Sequence, residues 1–480
     1  MALFHDLLLL RALEEPAMHP REALVAVTVA DVFTRPHEGR QSRIWLVAGD
    51  GERRAITTGP GGDRLPRWSP DGSLLVFLSD RGTPGLHRLF TWSEQDGERA
   101  IPAAIDGAVE DAQWAADGRR LLVLAADAGS DRPGTQAATR IEGTNENGDP
   151  FVQRPGDAWR RLYVVDAASG EAHELTRPGR TAWEAHWYGA ARVAAVTSAD
   201  PTESGWYDPT LDIVNAETGE ARAVYTPRDQ LQTPRVSPDG RYVVAVEAAS
   251  SDRATLAGRP VIVDVESGAA LPVEGVEDAA FLEWRDGASL WFAAWQGLGT
   301  RFGVIHVDGR VEEWWSGAMT LGSRYTLRLS AGAAGLAAVV EDPAHPPEVA
   351  LFDRGAGEWR CISDFNTAIA ALPLPTAEAV AWPAGDGQTI EGLLVRPIDT
   401  APRPGPLIMI VHGGPNLLWS QQFTNNTRAL ALAAGGYHVL LPNPRGSIGR
   451  GLAFARAVLG DCGGADLQDL LAGVDAMVAR

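Results

Sequence analysis

Short apolar runs alternate with turn-forming polar clusters along most of the chain, and the alternation repeats. Its clearest copy is Arg67-Trp-Ser-Pro-Asp-Gly-Ser-Leu-Leu-Val-Phe-Leu-Ser79, where a turn precedes an apolar run. Pro presets φ, Gly accepts positive φ, and the run that follows is rich in strand formers. A second copy opens with Gln113-Trp-Ala-Ala-Asp-Gly118 and continues through Arg119 and Arg120 into the apolar run Leu121-Leu-Val-Leu-Ala125. Further copies are Arg235-Val-Ser-Pro-Asp-Gly240 and Glu283-Trp-Arg-Asp-Gly287, with weaker ones near Met18, His186 and Leu329.

Taking the residue at the Trp68 position as an anchor gives positions 18, 68, 114, 187, 236, 284 and 329, spaced by 50, 46, 73, 49, 48 and 45 residues. All but the third spacing suit one four-stranded propeller blade. Most units add a strand such as Leu162-Tyr-Val-Val-Asp166 and a turn such as Ala168-Ser-Gly-Glu171 or Glu217-Thr-Gly-Glu220. The pattern predicts an all-β, seven-bladed β-propeller over residues 17–364. The 73-residue spacing predicts a long polar loop near Ala128–Arg160, rich in Gly, Asp, Asn and Arg. The recurrent Trp residues are expected at strand starts, packed between neighbouring blades, and the turn Asp residues are expected to cap backbone amides rather than to bind sugar or calcium.

The pattern differs at both ends. Residues 1–16 predict a short amphipathic helix ended near Pro16; they lack the basic segment and small-residue cleavage site of a signal peptide. After Asp364 the turn-and-run repeat gives way to helical spacing. A hairpin is expected over 379–397, then a Pro-rich loop at 402–406, and then the uninterrupted apolar run Leu407-Ile-Met-Ile-Val-His412, which reads as a strand buried on both faces. A helix over 424–434, a strand over 437–441 and a closing helix over 465–479 follow. The last is expected to bury a face made of Leu467, Leu470, Leu471, Val474, Met477 and Val478. Strand–helix–strand–helix after a hairpin indicates α/β architecture over residues 365–480.

Composition narrows the chemistry. With 480 residues the chain is long enough for at least two domains. Its net charge of −20 disfavours nucleic acid and anionic membrane as partners. It contains no lysine, so Schiff-base chemistry and a P-loop lysine are excluded. The two cysteines, Cys361 and Cys462, have no metal-type spacing and fit a reducing, cytoplasmic location. No metal and no organic cofactor is expected, and the sequence leaves room for a homo-oligomer.

The chemical signal is His412-Gly-Gly-Pro415, directly after a predicted buried strand. A glycine-rich turn there can direct backbone N–H groups toward a developing oxyanion. A purely structural turn is the competing reading of these four residues. Together with Pro442-Asn-Pro-Arg-Gly-Ser-Ile-Gly-Arg-Gly451 and Gly460-Asp-Cys-Gly-Gly-Ala-Asp-Leu-Gln-Asp469, the motif resembles the opening of the catalytic domain of the prolyl oligopeptidase family, in its acylaminoacyl-peptidase and dipeptidyl-peptidase-like branch. The resemblance implies a propeller that gates access to an α/β-hydrolase, and a Ser-Asp-His triad that cleaves short or N-acylated peptides through an acyl-enzyme. It makes His412, Gly413 and Gly414 the oxyanion-side turn, and Arg445 the organiser of the loop that follows the second strand. It also implies a Gly-x-Ser-x-Gly elbow beyond Arg480, so that no triad residue is present and the 480 residues alone are inactive. Ser447, in Gly446-Ser-Ile-Gly449, is the nearest approach to the elbow and lacks its leading glycine. A non-enzymatic propeller that binds peptides, and an esterase-type hydrolase, are the alternatives.

Overall fold

The structure, a computed structural model, describes residues 2–33, 41–128, 130, 158–253, 257–323, 326–398 and 404–480. Most of the expected polar loop at 128–160 lies outside the described residues.

The N-terminal part is all-β. Successive antiparallel sheets occupy residues 11–55, 63–100, 108–174, 181–225, 230–272, 279–317 and 320–361; the last has six strands and the others four. Within the four-stranded sheets consecutive strands pair in order, as the turn-and-run pattern requires. Apolar clusters lie between sheets rather than inside one. Leu75 and Phe77 pack with Ala26 and Ile44 of the preceding sheet, and Leu121 and Val123 pack with Val76 and Leu78. The first and last sheets meet as well. Val25 and Val27 share a cluster with Val339 and Val349, and the Met18 amide donates to Ser330 Oγ at 2.8 Å.

The tryptophans sit at the ends of first strands, just before the turn, and not at strand starts. The strand Asp63–Trp68 ends on one, as do Ala108–Trp114 and Ala279–Trp284. From there each indole reaches the neighbouring sheet. Trp68 Nε1 donates to the Ala17 carbonyl (3.1 Å), Trp114 to Arg67 (3.0 Å), Trp187 to Gln113 (3.2 Å) and Trp284 to Arg235 (2.9 Å). In every case the acceptor is the residue before the preceding anchor, so a repeat in sequence becomes a repeated latch in space. At Val236, which has no indole, the backbone N–H points to His186 Nδ1 instead, at 3.4 Å. The turn aspartates do cap amides: Asp71 accepts from the Ser73 N–H, Asp117 from Arg119 and Asp239 from Arg241.

The N-terminal helix is shorter than expected. It spans Ala2–Leu7, and Arg11–Met18, which includes Pro16, is instead the first strand of the first sheet. Leu10 and Leu13 are fully buried, but in different places. Leu3, Leu7 and Leu10 pack against Trp419, Phe423 and Leu430 of the C-terminal part, whereas Leu13 joins the first sheet. A single helix through residue 16 could not serve both cores.

The C-terminal part holds a mixed four-stranded sheet. Its order is Thr376–Pro383, Thr389–Arg396, His438–Asn443, Leu407–Met409, the last pair being parallel. The helices Thr427–Ala434, Leu452–Arg456 and Ala465–Ala479 flank it. Two expectations need correction. The apolar run at 407–412 forms a strand only over Leu407–Met409; it is half-buried at the edge of the described sheet, and Val411 is exposed. The closing helix buries Asp469 and Gly473, and leaves Leu467, Leu471 and Val478 exposed. Asp469 is held by Arg445, and a Cβ at Gly473 would come within 2.8 Å of the Trp382 indole. A buried ion pair and a close ring contact set the helix phase, and they override the leucine stripe. Among the described residues no helix is long and apolar enough to cross a membrane.

Candidate active-site turn

The strand Leu407–Met409 delivers the chain to His412-Gly-Gly-Pro415, and the strand His438–Asn443 delivers it to Pro444-Arg-Gly-Ser447. Side chains staple the two loops together. Trp419 N donates to Asn443 Oδ1 (2.7 Å), Asn443 Nδ2 donates to the Trp419 carbonyl (2.8 Å), and Trp419 Nε1 donates to the Ile410 carbonyl (2.9 Å). Asn416 Nδ2 donates to the Gly446 and Ala455 carbonyls at 2.7 and 3.0 Å.

Gly413 and Gly414 are exposed. Among the described residues, neither backbone N–H has a protein acceptor. They differ in why they are glycine. At Gly414 φ is +121° and a Cβ would lie 2.6 Å from the Asn416 nitrogen, so the turn itself demands glycine. At Gly413 a Cβ would meet nothing within 4 Å. Open space there is what a bound acyl group would need. The turn can therefore present two backbone donors to an oxyanion from the end of a parallel strand.

His412 lies between Gly413 and Ser447: Nδ1 is 2.9 Å from the Gly413 carbonyl and Nε2 is 3.0 Å from Ser447 Oγ. Burial lowers its pKa below the ordinary value. Ser447 is fully buried, and its hydroxyl is 2.6 Å from the Pro444 carbonyl, to which it donates. A hydroxyl with no exposure and a committed proton is not placed to attack a substrate, so the pair fastens the two loops.

Arg445 is fully occupied. Its backbone N–H and its Nε and Nη2 groups all donate to Asp469, with Nη2 to Oδ1 at 2.6 Å, and Nη1 donates to Asp386 Oδ2 at 2.5 Å. These carboxylates hold the guanidinium pKa above its usual value. The residue ties the loop to the closing helix and to the hairpin turn, and it has no free edge for substrate.

The all-β part grips the same segment. Asp278 accepts from the Gly451 N–H at 2.5 Å, the Gly297 N–H donates to the Gly449 carbonyl at 2.7 Å, and Arg456 pairs with Asp229 at 2.5 Å. Glu341 accepts from both the N–H and the hydroxyl of Thr424, each at 2.8 Å. Burial pushes Asp278 up to about 6 and Glu341 up to about 7, against the backbone hydrogen bonds that favour their charged forms. Sequence reading missed Asp278, Glu341 and Asp469. The first two had one signal: each is a carboxylate set in or beside an apolar strand, in Val276-Glu-Asp-Ala-Ala280 and Val339-Val-Glu341.

A cleft of about 770 Å³ opens between the sheet at 279–317 and the C-terminal hairpin, lined by Gly297, Ser316, Ala379, Glu391, Gln421 and Arg450. Its lining does not include His412, Gly413 or Gly414, so this cleft and the candidate chemistry are separate.

Comparison with known proteins agrees with this geometry. A family model described as the prolyl oligopeptidase family matches residues 421–480. An uncharacterised peptidase of Bacillus subtilis, YuxL, is 26% identical over 452 residues, covering 86% of this chain and 66% of its own length. This chain thus spans slightly less than two thirds of that relative. Dipeptidyl-peptidase 5 of Aspergillus fumigatus is 41% identical over 66 residues, 14% of this chain and 9% of the relative. The solved structure of an acylaminoacyl peptidase from Pyrococcus horikoshii superposes with a TM-score of 0.73 at 20% identity, covering 98% of this chain and 71% of that one, and so shares its fold. Beside the His412–Pro415 turn and the Pro442–Gly451 loop, these matches make residues 421–480 similar to the prolyl oligopeptidase family and give the chain the fold of an acylaminoacyl peptidase.

Proposed function

We propose that the complete protein is a serine peptidase that hydrolyses short or N-acylated peptides through an acyl-enzyme. In this reading residues 17–364 form a seven-bladed propeller that gates access, and residues 365–480 form the N-terminal portion of an α/β-hydrolase domain. The observation that carries it is the turn at Gly413 and Gly414, which offers two unclaimed backbone N–H groups beside open space. The seven sheet segments and the contact of the first with the last support a closed propeller. The names of the relatives, a dipeptidyl-peptidase and an acylaminoacyl peptidase, support peptide substrates. The nucleophile, acid and base are assigned to residues outside these 480, since Ser447 is buried and committed. The exposed stripe of Leu467, Leu471 and Val478 is a surface that further chain would cover.

The test uses an acyl-amino-acid anilide and a short peptide as substrates. The 480-residue chain is expected to turn over neither. The same chain extended through the rest of its reading frame is expected to cleave at least one and to be silenced by a serine-directed phosphonate. Phosphonate-sensitive turnover by the 480-residue chain, or none by the extended one, overturns the proposal.

A further inference from the structure

Asn416 closes the turn that carries Gly413 and Gly414, and it is held from two different parts of the chain. Its side-chain Nδ2 donates within the C-terminal part, to the Gly446 and Ala455 carbonyls. Its backbone N–H donates instead to Ser251 Oγ of the all-β part, at 3.1 Å and across 165 residues of sequence. Asn416 is 2% exposed, so these protein partners are what satisfy it.

Ser251 follows the strand Tyr242–Ala248, in a loop that other contacts fix in place. Its hydroxyl donates to Asp252 Oδ2 at 2.8 Å, so the proton is committed and the oxygen serves as an acceptor toward Asn416. A carboxylate behind the hydroxyl strengthens that acceptor, since chained hydrogen bonds polarise one another. The Ser251 carbonyl accepts from the Tyr207 hydroxyl at 2.7 Å, and the Ser250 carbonyl accepts from Gln230 Nε2 at 2.9 Å. The turn itself has little slack. Only Pro415 separates Asn416 from Gly414, and a Cβ on Gly414 would lie 2.6 Å from the Asn416 nitrogen. A shift of that nitrogen therefore carries the Gly414 N–H with it.

We infer that Ser251 is a positioning residue for the oxyanion-side turn, so that the all-β part holds the turn in its competent form through this hydroxyl. The inference rests on the peptidase reading for what the turn does, and on the Ser251–Asn416 contact for how it is held. Ser251 is assigned no contact with a reacting atom. It acts through Asn416 on the direction of the Gly413 and Gly414 N–H groups. Such donors are effective only at about 2.7–3.1 Å from the oxygen that becomes charged. A displacement of about 1 Å can cost roughly 100-fold in rate, whereas the loss of one neutral hydrogen bond takes only a small part of the stability of the fold.

The experiment uses the chain extended through the rest of its reading frame, unaltered, as Ser251→Ala and as Ser251→Thr. The first change removes the acceptor and the second keeps a hydroxyl. With an acyl-amino-acid anilide, Ser251→Ala is expected to lose about 10-fold or more in kcat, with KM within about twofold. Its inactivation by a serine-directed phosphonate should slow by a similar factor, because the phosphonyl oxygen uses the same donors. Ser251→Thr is expected to recover most of both rates. A role in stability alone would lower the urea midpoint and leave kcat of the folded enzyme where it was. A kcat of Ser251→Ala equal to that of the unaltered enzyme overturns the inference, as does a loss that Ser251→Thr shares in full. Hydrogen exchange of the 480-residue chain reads the same contact without catalysis. In Ser251→Ala, amides of the segment 412–418 should exchange roughly fivefold faster or more, while those of the all-β sheets are unchanged. Unchanged exchange at 412–418 overturns the inference. No turnover by the unaltered extended chain refutes the peptidase reading itself, and the exchange result alone then decides whether Ser251 holds the turn.

Discussion

Glu341 fastens the last sheet of the all-β part to the segment ahead of the helix Thr427–Ala434, and it does so while buried, with 1% of its surface exposed. One oxygen takes both Thr424 hydrogen bonds, and the other has no partner. With a pKa of about 7 in the folded chain against an ordinary 4.5, the folded state holds its proton over a pH range where the unfolded chain has released it. Stability is therefore fully present below the unfolded pKa and falls as pH rises through the folded one. The full penalty, reached well above pH 7, is about 3 kcal/mol. Because it builds up gradually, it is already about 2 kcal/mol at pH 6 and grows by roughly 1.4 kcal/mol more by pH 9.

Glu341→Gln tests this. The amide oxygen can still accept from Thr424, and no charge is left to bury. Urea melts of the chain and the variant at pH 6, 7.5 and 9 give the difference in stability; every other titrating group is common to both and cancels. The variant is expected to be more stable at each pH, with an advantage that widens by about 1–1.5 kcal/mol from pH 6 to pH 9. A variant less stable by the same amount at all three values would show that the ionised carboxylate is favourable where it sits, and the argument from burial would be wrong.

Four further outcomes follow from single positions. Trp114→Phe removes the indole donor to the Arg67 carbonyl and should cost about 1–2 kcal/mol in urea melts; an unchanged midpoint would mean that the recurrent latches add nothing. Asp469→Ala strips the buried partner from Arg445 and should cost about 3–5 kcal/mol locally. Hydrogen exchange should then show amides near residues 443–447 losing protection, while amides of the all-β sheets keep theirs. Gly414→Ala places a Cβ 2.6 Å from the Asn416 nitrogen at a φ of +121°, and should destabilise the chain by more than about 1 kcal/mol. Gly413→Ala should melt with the unaltered chain, yet in the extended peptidase it should suppress turnover, because its methyl enters the space proposed for the acyl group.

The repeat was legible because it is local. Pro-Asp-Gly and the run after it fix a turn and a strand within a dozen residues, so seven anchors could be found from spacing alone. At four anchors the residue just before the anchor gives its carbonyl to the next sheet's indole, although the spacing does not reveal that hydrogen bond. The C-terminal motifs were legible for the same reason: Gly414 needs a positive φ that its immediate neighbours impose.

What escaped depends on burial by distant parts of the chain. The leucine stripe of the last helix reads as a buried face, and apolar spacing alone would always give that phase. The helix turns instead to place Asp469 under Arg445 and Gly473 against Trp382. A carboxylate completing a buried ion pair is costly to leave unpaired, by about 3–5 kcal/mol, whereas a half-exposed leucine forfeits only part of the ~1.5–3 kcal/mol its full burial would give. The polar contact wins on magnitude, and no periodicity in the sequence carries that comparison. The same holds at Asp278 and Glu341, whose environment is made by contacts with residues of the C-terminal part far along the chain. The segment 445–456, whose loop is stapled to the candidate turn, is thus held from both sides by charges whose partners lie 24 to 227 residues away, which is why its composition could be read from the sequence and its support could not.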